Sequence, residues 1–205
     1  MGIEQIKVGF DNFSYIIYDL ISKESAIVDP SINITKQIDF LKVKKLDLKY
    51  IINTHHHRDH TLKNDKIKEI YPDAKIIISE VFKRKLDISS KIYVYEAFEL
   101  EIGSMRLKFL LTPGHTPDGL CIIVDDKAII TGDTLFIDNC GRADIPGGNI
   151  YDLFNSLQKI KKLSDDIIVY PGHDYGPKFF DKLGNQKKTN KTLLARNLDE
   201  FSKIP

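Results

Sequence analysis

Four of the six histidines fall within six residues: His55, His56, His57 and His60. With Asp59 they spell H-x-H-x-D-H, directly after the apolar stretch Tyr-Ile-Ile-Asn at 50–53. In an extended chain residues i and i+2 share a side. His55 and His57 can therefore converge on one metal ion, while His56 points the other way. Asp59 and His60 lie where the chain bends toward the next helix and can face a second ion. Three more residues of ligand type follow: His115 in T-P-G-H-T-P, Asp133 in T-G-D-T and His173 in Y-P-G-H-D-Y. Each comes straight after a strand-like run, beside a glycine that admits close backbone packing. Imidazole and carboxylate together suit zinc, iron or manganese. A lone histidine after a strand is ordinarily a satisfied core or surface residue. Five histidines and two acids, all at strand ends, are a pattern that this bland reading does not explain.

The elements that must carry these residues are legible from periodicity. Residues 13–18 and 25–28 predict a hairpin pair. Residues 50–53, 75–79, 105–111, 120–124, 128–131 and 167–170 predict further strands, several of them continuous apolar runs of the buried kind. A helix is expected over 34–41, where Ile34, Ile38 and Leu41 share a face, and another over 62–70 on Leu62, Ile67 and Ile70. The stretch 150–163 repeats Leu153, Phe154, Leu157, Ile160 and Leu163, an amphipathic helix. The tail 192–204 predicts a closing helix. Strands recurring throughout, with helices interleaved, give an α/β chain with two sheets or one large mixed sheet.

Composition bounds the rest. The chain has 205 residues, which fits one domain over 1–205 with 180–205 as a short C-terminal tail. Thirty basic and 29 acidic residues give a net charge of +1, no footprint for nucleic acid. No apolar run approaches membrane-spanning length and the N-terminus lacks a signal-peptide core, so no membrane partner is expected. Two cysteines, Cys121 and Cys140, make no disulfide framework and fit a cytoplasmic location. Cys140 reads as a small buried residue rather than a reactive one. Gly147-Gly148 reads as a loop, without the spacing of a nucleotide cradle.

The motifs T-H-H-H-R-D-H at 54–60, T-P-G-H-T at 112–116, T-G-D at 131–133 and P-G-H at 171–173 resemble, in order, those of the metallo-β-lactamase superfamily. The resemblance covers nearly the whole chain. It implies an αββα four-layer sandwich, two mixed sheets face to face with helices outside and the metal site at one edge. Gly132-Asp133-Thr134-Leu135-Phe136 and Cys140-Gly141-Arg142 are similar to the branch of glyoxalase II and the persulfide dioxygenases. By that pattern His55, His57 and His115 would hold a first divalent ion. Asp59, His60 and His173 would hold a second, with Asp133 bridging them.

Two activities are implied. One is hydrolysis of a thioester or similar small thiol-derived substrate, with a water acidified by the two ions as nucleophile and Asp59 aiming it. The other is oxidation of a persulfide by O₂ at a single Fe(II), held in that branch by the positions of His55, His115 and Asp133. Arg142-Ala143-Asp144 and His173-Asp174-Tyr175 look more like the dioxygenases; the complete seven-residue set and the abundance of small hydrolases in the superfamily favour hydrolysis. Arg142 and Tyr175 are candidates for binding substrate, the first through a bidentate fork to a carboxylate. Glyoxalase II carries a long basic helical region for glutathione. Only 32 residues follow His173 here, so another thiol is expected. A purely metal-binding or interaction role would call for a missing ligand, and none of the seven is missing.

Overall fold

The computed structural model describes residues 1–82 and 91–204. Its first sheet is built from β1 (Gly2–Lys7), β2 (Phe13–Tyr18), β3 (Glu24–Val28), β4 (Asp47–Ile52), β5 (Lys75–Ser79) and β6 (Lys91–Val94), in that spatial order. β1, β2 and β3 pair antiparallel; β3 through β6 run parallel. The second sheet takes β7 (Glu99–Ile102), β8 (Met105–Leu111), β9 (Leu120–Val124) and β10 (Ala128–Gly132). After a small hairpin, β11 (Leu135–Phe136) and β12 (Asn139–Cys140), it is completed by β13 (Ile168–Pro171) and β14 (Asp181–Lys182), in the order β14-β13-β10-β9-β8-β7. Only β10 and β13 are parallel there.

Side-chain alternation sets the layers. Tyr15, Ile17, Ala26, Val28, Ile52 and Ile77 of the first sheet meet Leu107, Phe109, Ile122, Val124 and Ile130 of the second in one buried cluster between the sheets. The opposite faces are covered by helices. Ile16, Ile27, Ile51, Ile76 and Ile78 pack under α1 (Thr35–Lys44) and α3 (Asn64–Ile70) through Leu41 and Ile67. Ile123, Ile129 and Val169 pack under α4 (Ile150–Lys161) through Leu153, Leu157 and Ile160, together with α5 (Leu183–Thr189). Each buried aliphatic side chain is worth about 1.5–3 kcal/mol. The apolar runs read from the sequence thus have both faces buried, in the order helix, sheet, sheet, helix.

Three expectations need correction. The tail is two short helices, α6 (Lys191–Leu194) and α7 (Leu198–Phe201), not one. Asn190 and Asn197 each start a new helix by accepting backbone N–H bonds, from Thr192 and Glu200, and Ala195 between them is extended. The 62–70 helix begins at Asn64, preceded by the single turn α2 (Arg58–Thr61); only Ile67 of its predicted stripe is buried, Leu62 and Ile70 being exposed. β4 starts at Asp47, earlier than expected, and ends before Asn53. The short edge strands β6, β7 and β14 and the strand β1 carry too little pattern to be read in advance.

Candidate metal centre

The ends of β4, β8, β10 and β13 meet at one rim. β4 runs into the loop bearing His55 and His57, and α2 carries Asp59 and His60. β8 leads to His115, β10 to Asp133, β13 to His173. The two sheets are stitched there by backbone bonds: Leu120 N–H donates to the Thr54 carbonyl (2.9 Å) and Phe13 N–H to that of Gly172 (2.8 Å). The Tyr15 hydroxyl, fully buried, donates to the Pro171 carbonyl. Gly172 is required by contact: a Cβ there would lie 2.3 Å from Asp133 Oδ1. Gly132 has φ +49° and lies against Thr54.

All seven sequence-predicted ligand residues come together. His55 Nε2 lies 3.0 Å from His57 Nδ1, and His115 Nε2 lies 3.1 Å from that same atom. His60 Nε2 and His173 Nε2 are 3.3 Å apart, and Asp59 Oδ2 is 3.6 and 3.5 Å from them. Asp133 sits between the groups, Oδ1 3.4 Å from His60, Oδ2 3.5 Å from His115 and 3.3 Å from His173. Ligand atoms of His55, His57 and His115 form one cluster, those of Asp59, His60 and His173 another.

These groups suit divalent cations. Lone-pair nitrogens are brought nose to nose, and Asp133 Oδ1 is buried with no hydrogen-bond partner among the described residues. Such an arrangement leaves acceptors unsatisfied unless a cation or protons lie between them. The outward ring nitrogens are fixed: His55 Nδ1–H donates to Thr54 Oγ1 (3.1 Å), His115 Nδ1–H to the Arg142 carbonyl (2.8 Å) and His60 Nδ1–H to Asp29 Oδ2 (3.0 Å). This sets the Nε2 atoms facing inward, the usual support of a metal-binding histidine.

Without metal the two clusters hold protons differently. Burial, with the rings of His60 and His115 close by, puts His55 well below the usual histidine range, and burial also lowers His57. Burial acts the same way on His60, but the Asp133 and Asp29 carboxylates outweigh it and lift the ring to about 9. Asp133 and Asp59 likewise overcome burial at His173, raising it to about 10. Burial opposes ionisation of Asp133, yet His60, His173 and His55 hold it far below the carboxylate range; Asp59 is held low mainly by its bond to His173. His55 and His57 are thus pushed toward the neutral form, whereas the second cluster is an imidazolium–carboxylate network.

The other predicted residues take distinct places. Tyr175 stacks flat on His173, centroids 4.7 Å apart, and edges onto Phe136. The Arg142 guanidinium is not in the cluster: it is exposed and forked onto Asp144 (2.8 and 3.0 Å), and its carbonyl is what touches His115. His56 turns away from the ligands, as expected, onto Asp118 (2.6 Å). Sequence reasoning missed Asp29, Asn12 and Asp118. Asp29 is buried and accepts from Thr54 N–H and Oγ1–H (2.8 and 2.7 Å) as well as from His60. Asn12 donates to Asp59 Oδ2 (3.0 Å). The signal for Asp29 is an acid at the end of the strand next to β4, but the Pro30 that follows gives the pair the look of an ordinary turn.

A family model described as the metallo-beta-lactamase superfamily matches residues 8–173. The chain is 34% identical over 176 residues to the probable polyketide biosynthesis zinc-dependent hydrolase PksB of Bacillus subtilis, covering 82% of this chain and 75% of that one. It is 35% identical over 176 residues to a hydroxyacylglutathione hydrolase of Pelagibacter ubique (85% and 72% covered). It is 30% identical over 196 residues to the human mitochondrial persulfide dioxygenase ETHE1 (94% and 75% covered). The crystal structure of ETHE1 from Myxococcus xanthus superposes with a TM-score of 0.87 at 25% identity, covering all of this chain and 92% of that one. Both halves of the branch resemblance read from the motifs are therefore represented among the relatives. With its strand-end ligand motifs, its two facing mixed sheets and this family match, the chain belongs to the metallo-β-lactamase superfamily.

Proposed function

We propose that this enzyme hydrolyses a thioester of a small thiol, using two divalent ions, zinc, iron or manganese. The single observation that carries the reading is that both three-residue clusters are complete, with Asp133 between them. The kinship with a relative named as a zinc-dependent hydrolase supports it. His55, His57 and His115 would hold one ion and Asp59, His60 and His173 the other, with Asp133 between them. When bound, the ions supply Lewis acidity, acidifying a water and polarising a carbonyl oxygen.

The chain's own groups do the rest. Asp59 is half-exposed and ionised, with Asn12 fixing its carboxylate, so it accepts a hydrogen bond from a water at the rim and orients it. Tyr175, half open to solvent beside His173, keeps its hydroxyl proton, burial and Asp11 raising it to about 12, so its O–H serves as a hydrogen-bond donor to substrate. Arg142 offers a guanidinium to a substrate carboxylate by exchanging its exposed bond to Asp144, a pair worth little in water. Residues 1–205 act as one domain, the tail 180–205 closing the outer layer through Leu183, Leu193 and Phe201. The thiols of Cys121 and Cys140, raised to about 12 by burial, take no part, and their free state fits the cytoplasm. No helix of the described residues is long and apolar enough to cross a membrane.

A second reading, persulfide oxidation at one Fe(II) held by His55, His115 and Asp133, is favoured by the ETHE1 kinship over 94% of the chain. His173→Ala separates the two. A two-ion hydrolase loses thioesterase activity by orders of magnitude. A one-iron oxygenase keeps one iron and most of its O₂ uptake. Wild type that consumes O₂ with a persulfide and cleaves no thioester overturns the hydrolase.

A further inference from the structure

His56 is the one histidine outside the ligand set, yet it is anchored. Its Nδ1 lies 2.6 Å from Oδ1 of Asp118, whose side chain is only 7% exposed. The two residues sit on the two loops that supply the first cluster. His56 lies between His55 and His57; Asp118 lies three residues after His115.

The ligands differ in how they are steadied. Thr54 holds His55, the Arg142 carbonyl holds His115 and Asp29 holds His60, each through the ring nitrogen that faces away from the cluster. His57 uses Nδ1 toward its fellow ligands, and its Nε2 has no hydrogen-bond partner among the described residues. It is also half-exposed, so packing does little to fix it. What orients His57 is its backbone, held on one side where its carbonyl caps α2, accepting from His60 N–H (3.0 Å), Thr61 N–H (3.2 Å) and Thr61 Oγ1–H (3.2 Å), and on the other side at His56.

We propose that the His56–Asp118 pair is a positioning clamp for the first metal cluster. It holds the 54–57 loop against the 112–119 loop so that His57 meets His55 and His115. The second cluster does not depend on it: Asp59 and His60 ride on α2, steadied by Asn12 and Asp29, and His173 is pinned by the Asn12–His173 bridge. The inference rests on the reading that the first cluster holds a metal ion, not on which reaction follows.

The test is zinc affinity, by competition with a chromophoric chelator. In a His173→Ala background the remaining zinc reports on the first cluster. His56→Ala and Asp118→Ala should each weaken it by about ten- to hundredfold, the usual cost of losing outer support of a ligand. The double variant should be no weaker than either single one, because both remove the same bond. His56→Asn, whose amide N–H sits near the place of Nδ1–H, should restore most of the affinity. His56→Gln, with its donor one methylene further out, should not, and this polar variant carries the test if the alanine variants fail to fold. With His173 intact, the zinc of the second cluster should keep its affinity. Equal weakening of both clusters makes the pair merely structural and overturns the clamp. So do unchanged affinity in His56→Gln, or losses that add in the double variant. Wild type that binds no zinc overturns the metal reading itself; zinc-loaded wild type with unaffected variants overturns the clamp alone.

Discussion

The two clusters should load metal with different pH slopes. The perturbation is pH, between 6.5 and 8.5, on metal-free protein. Coordination through Nε2 requires His60 and His173 to lose a proton each. Raised to about 9 and about 10, both rings hold their protons at pH 7. The same carboxylates hold both protons, so the pair titrates as a unit. Affinity at the second cluster should therefore climb about a hundredfold per pH unit through this window. His55 and His57 lie below the usual histidine range, so they add less slope than the second cluster. Zinc titrated calorimetrically at pH 7.5, in two buffers of different ionisation enthalpy, should release about two protons per ion at the second cluster. Acidification should strip that ion first. One common slope for both ions, or no proton release at either, refutes the argument. The sign for metal-free stability follows from the same groups. The raised His60 and His173 stabilise fully below the unfolded histidine value, and that contribution fades as pH rises through 9 and 10. The depressed Asp59 and Asp133 stabilise above the unfolded carboxylate range, and theirs fades as pH falls. Buried His55, held below the usual histidine value, adds stability that fades as pH falls through the histidine range, so the melting temperature should be highest near neutral pH and drop on either side.

Three further outcomes are expected. Asp29→Asn removes the charge that holds His60 and, through Thr54, steadies His55; zinc affinity should fall about ten- to hundredfold at the second cluster and less at the first, read by chelator competition. Gly172→Ala forces a Cβ to 2.3 Å from Asp133 Oδ1, so the bridging carboxylate must move and both ions should bind more weakly, with metal content after dialysis as the check. Arg142→Lys keeps the carbonyl bonded to His115 but loses the fork; kcat/KM should fall while zinc content and melting temperature hold, and unchanged kinetics remove Arg142 from substrate binding.

Legibility in the sequence tracked how much of a residue's role is local. The ligands were readable because each needs a particular side chain at a strand end, and strands such as 75–79 and 120–124 announce themselves by continuous apolar runs buried on both faces. The i, i+2 argument for His55 and His57 reached the right convergence although the chain bends at 54–57 rather than staying extended. Supporting residues were not readable. Asp29 lies 25 residues before Thr54 and 31 before His60, and Asp118 lies 62 after His56. An acid beside a proline looks like any turn until the parallel pairing of β3 with β4 sets it against the histidine loop. Arg142 shows a different case. Its charge drew notice, whereas the atom that touches the centre is a carbonyl any residue could supply.

The ligands also come from both sheets. His55, His57, Asp59 and His60 follow β4 of the first; His115, Asp133 and His173 follow β8, β10 and β13 of the second. Neither sheet alone assembles a cluster: His115 completes one and His173 the other. The apolar layer between the sheets, centred on Tyr15, Ile52, Phe109 and Ile122, sets their spacing without regard to metal. The bonds at the rim, Leu120 to Thr54 and Phe13 to Gly172, convert that spacing into the position of individual ligands. A metal ion that bridges the sheets binds the folded chain and not the unfolded one, so its affinity adds to stability by mass action. Hydrophobic packing thus places the clusters, and ions bound there would in return cross-link the two halves at the edge where the packing ends.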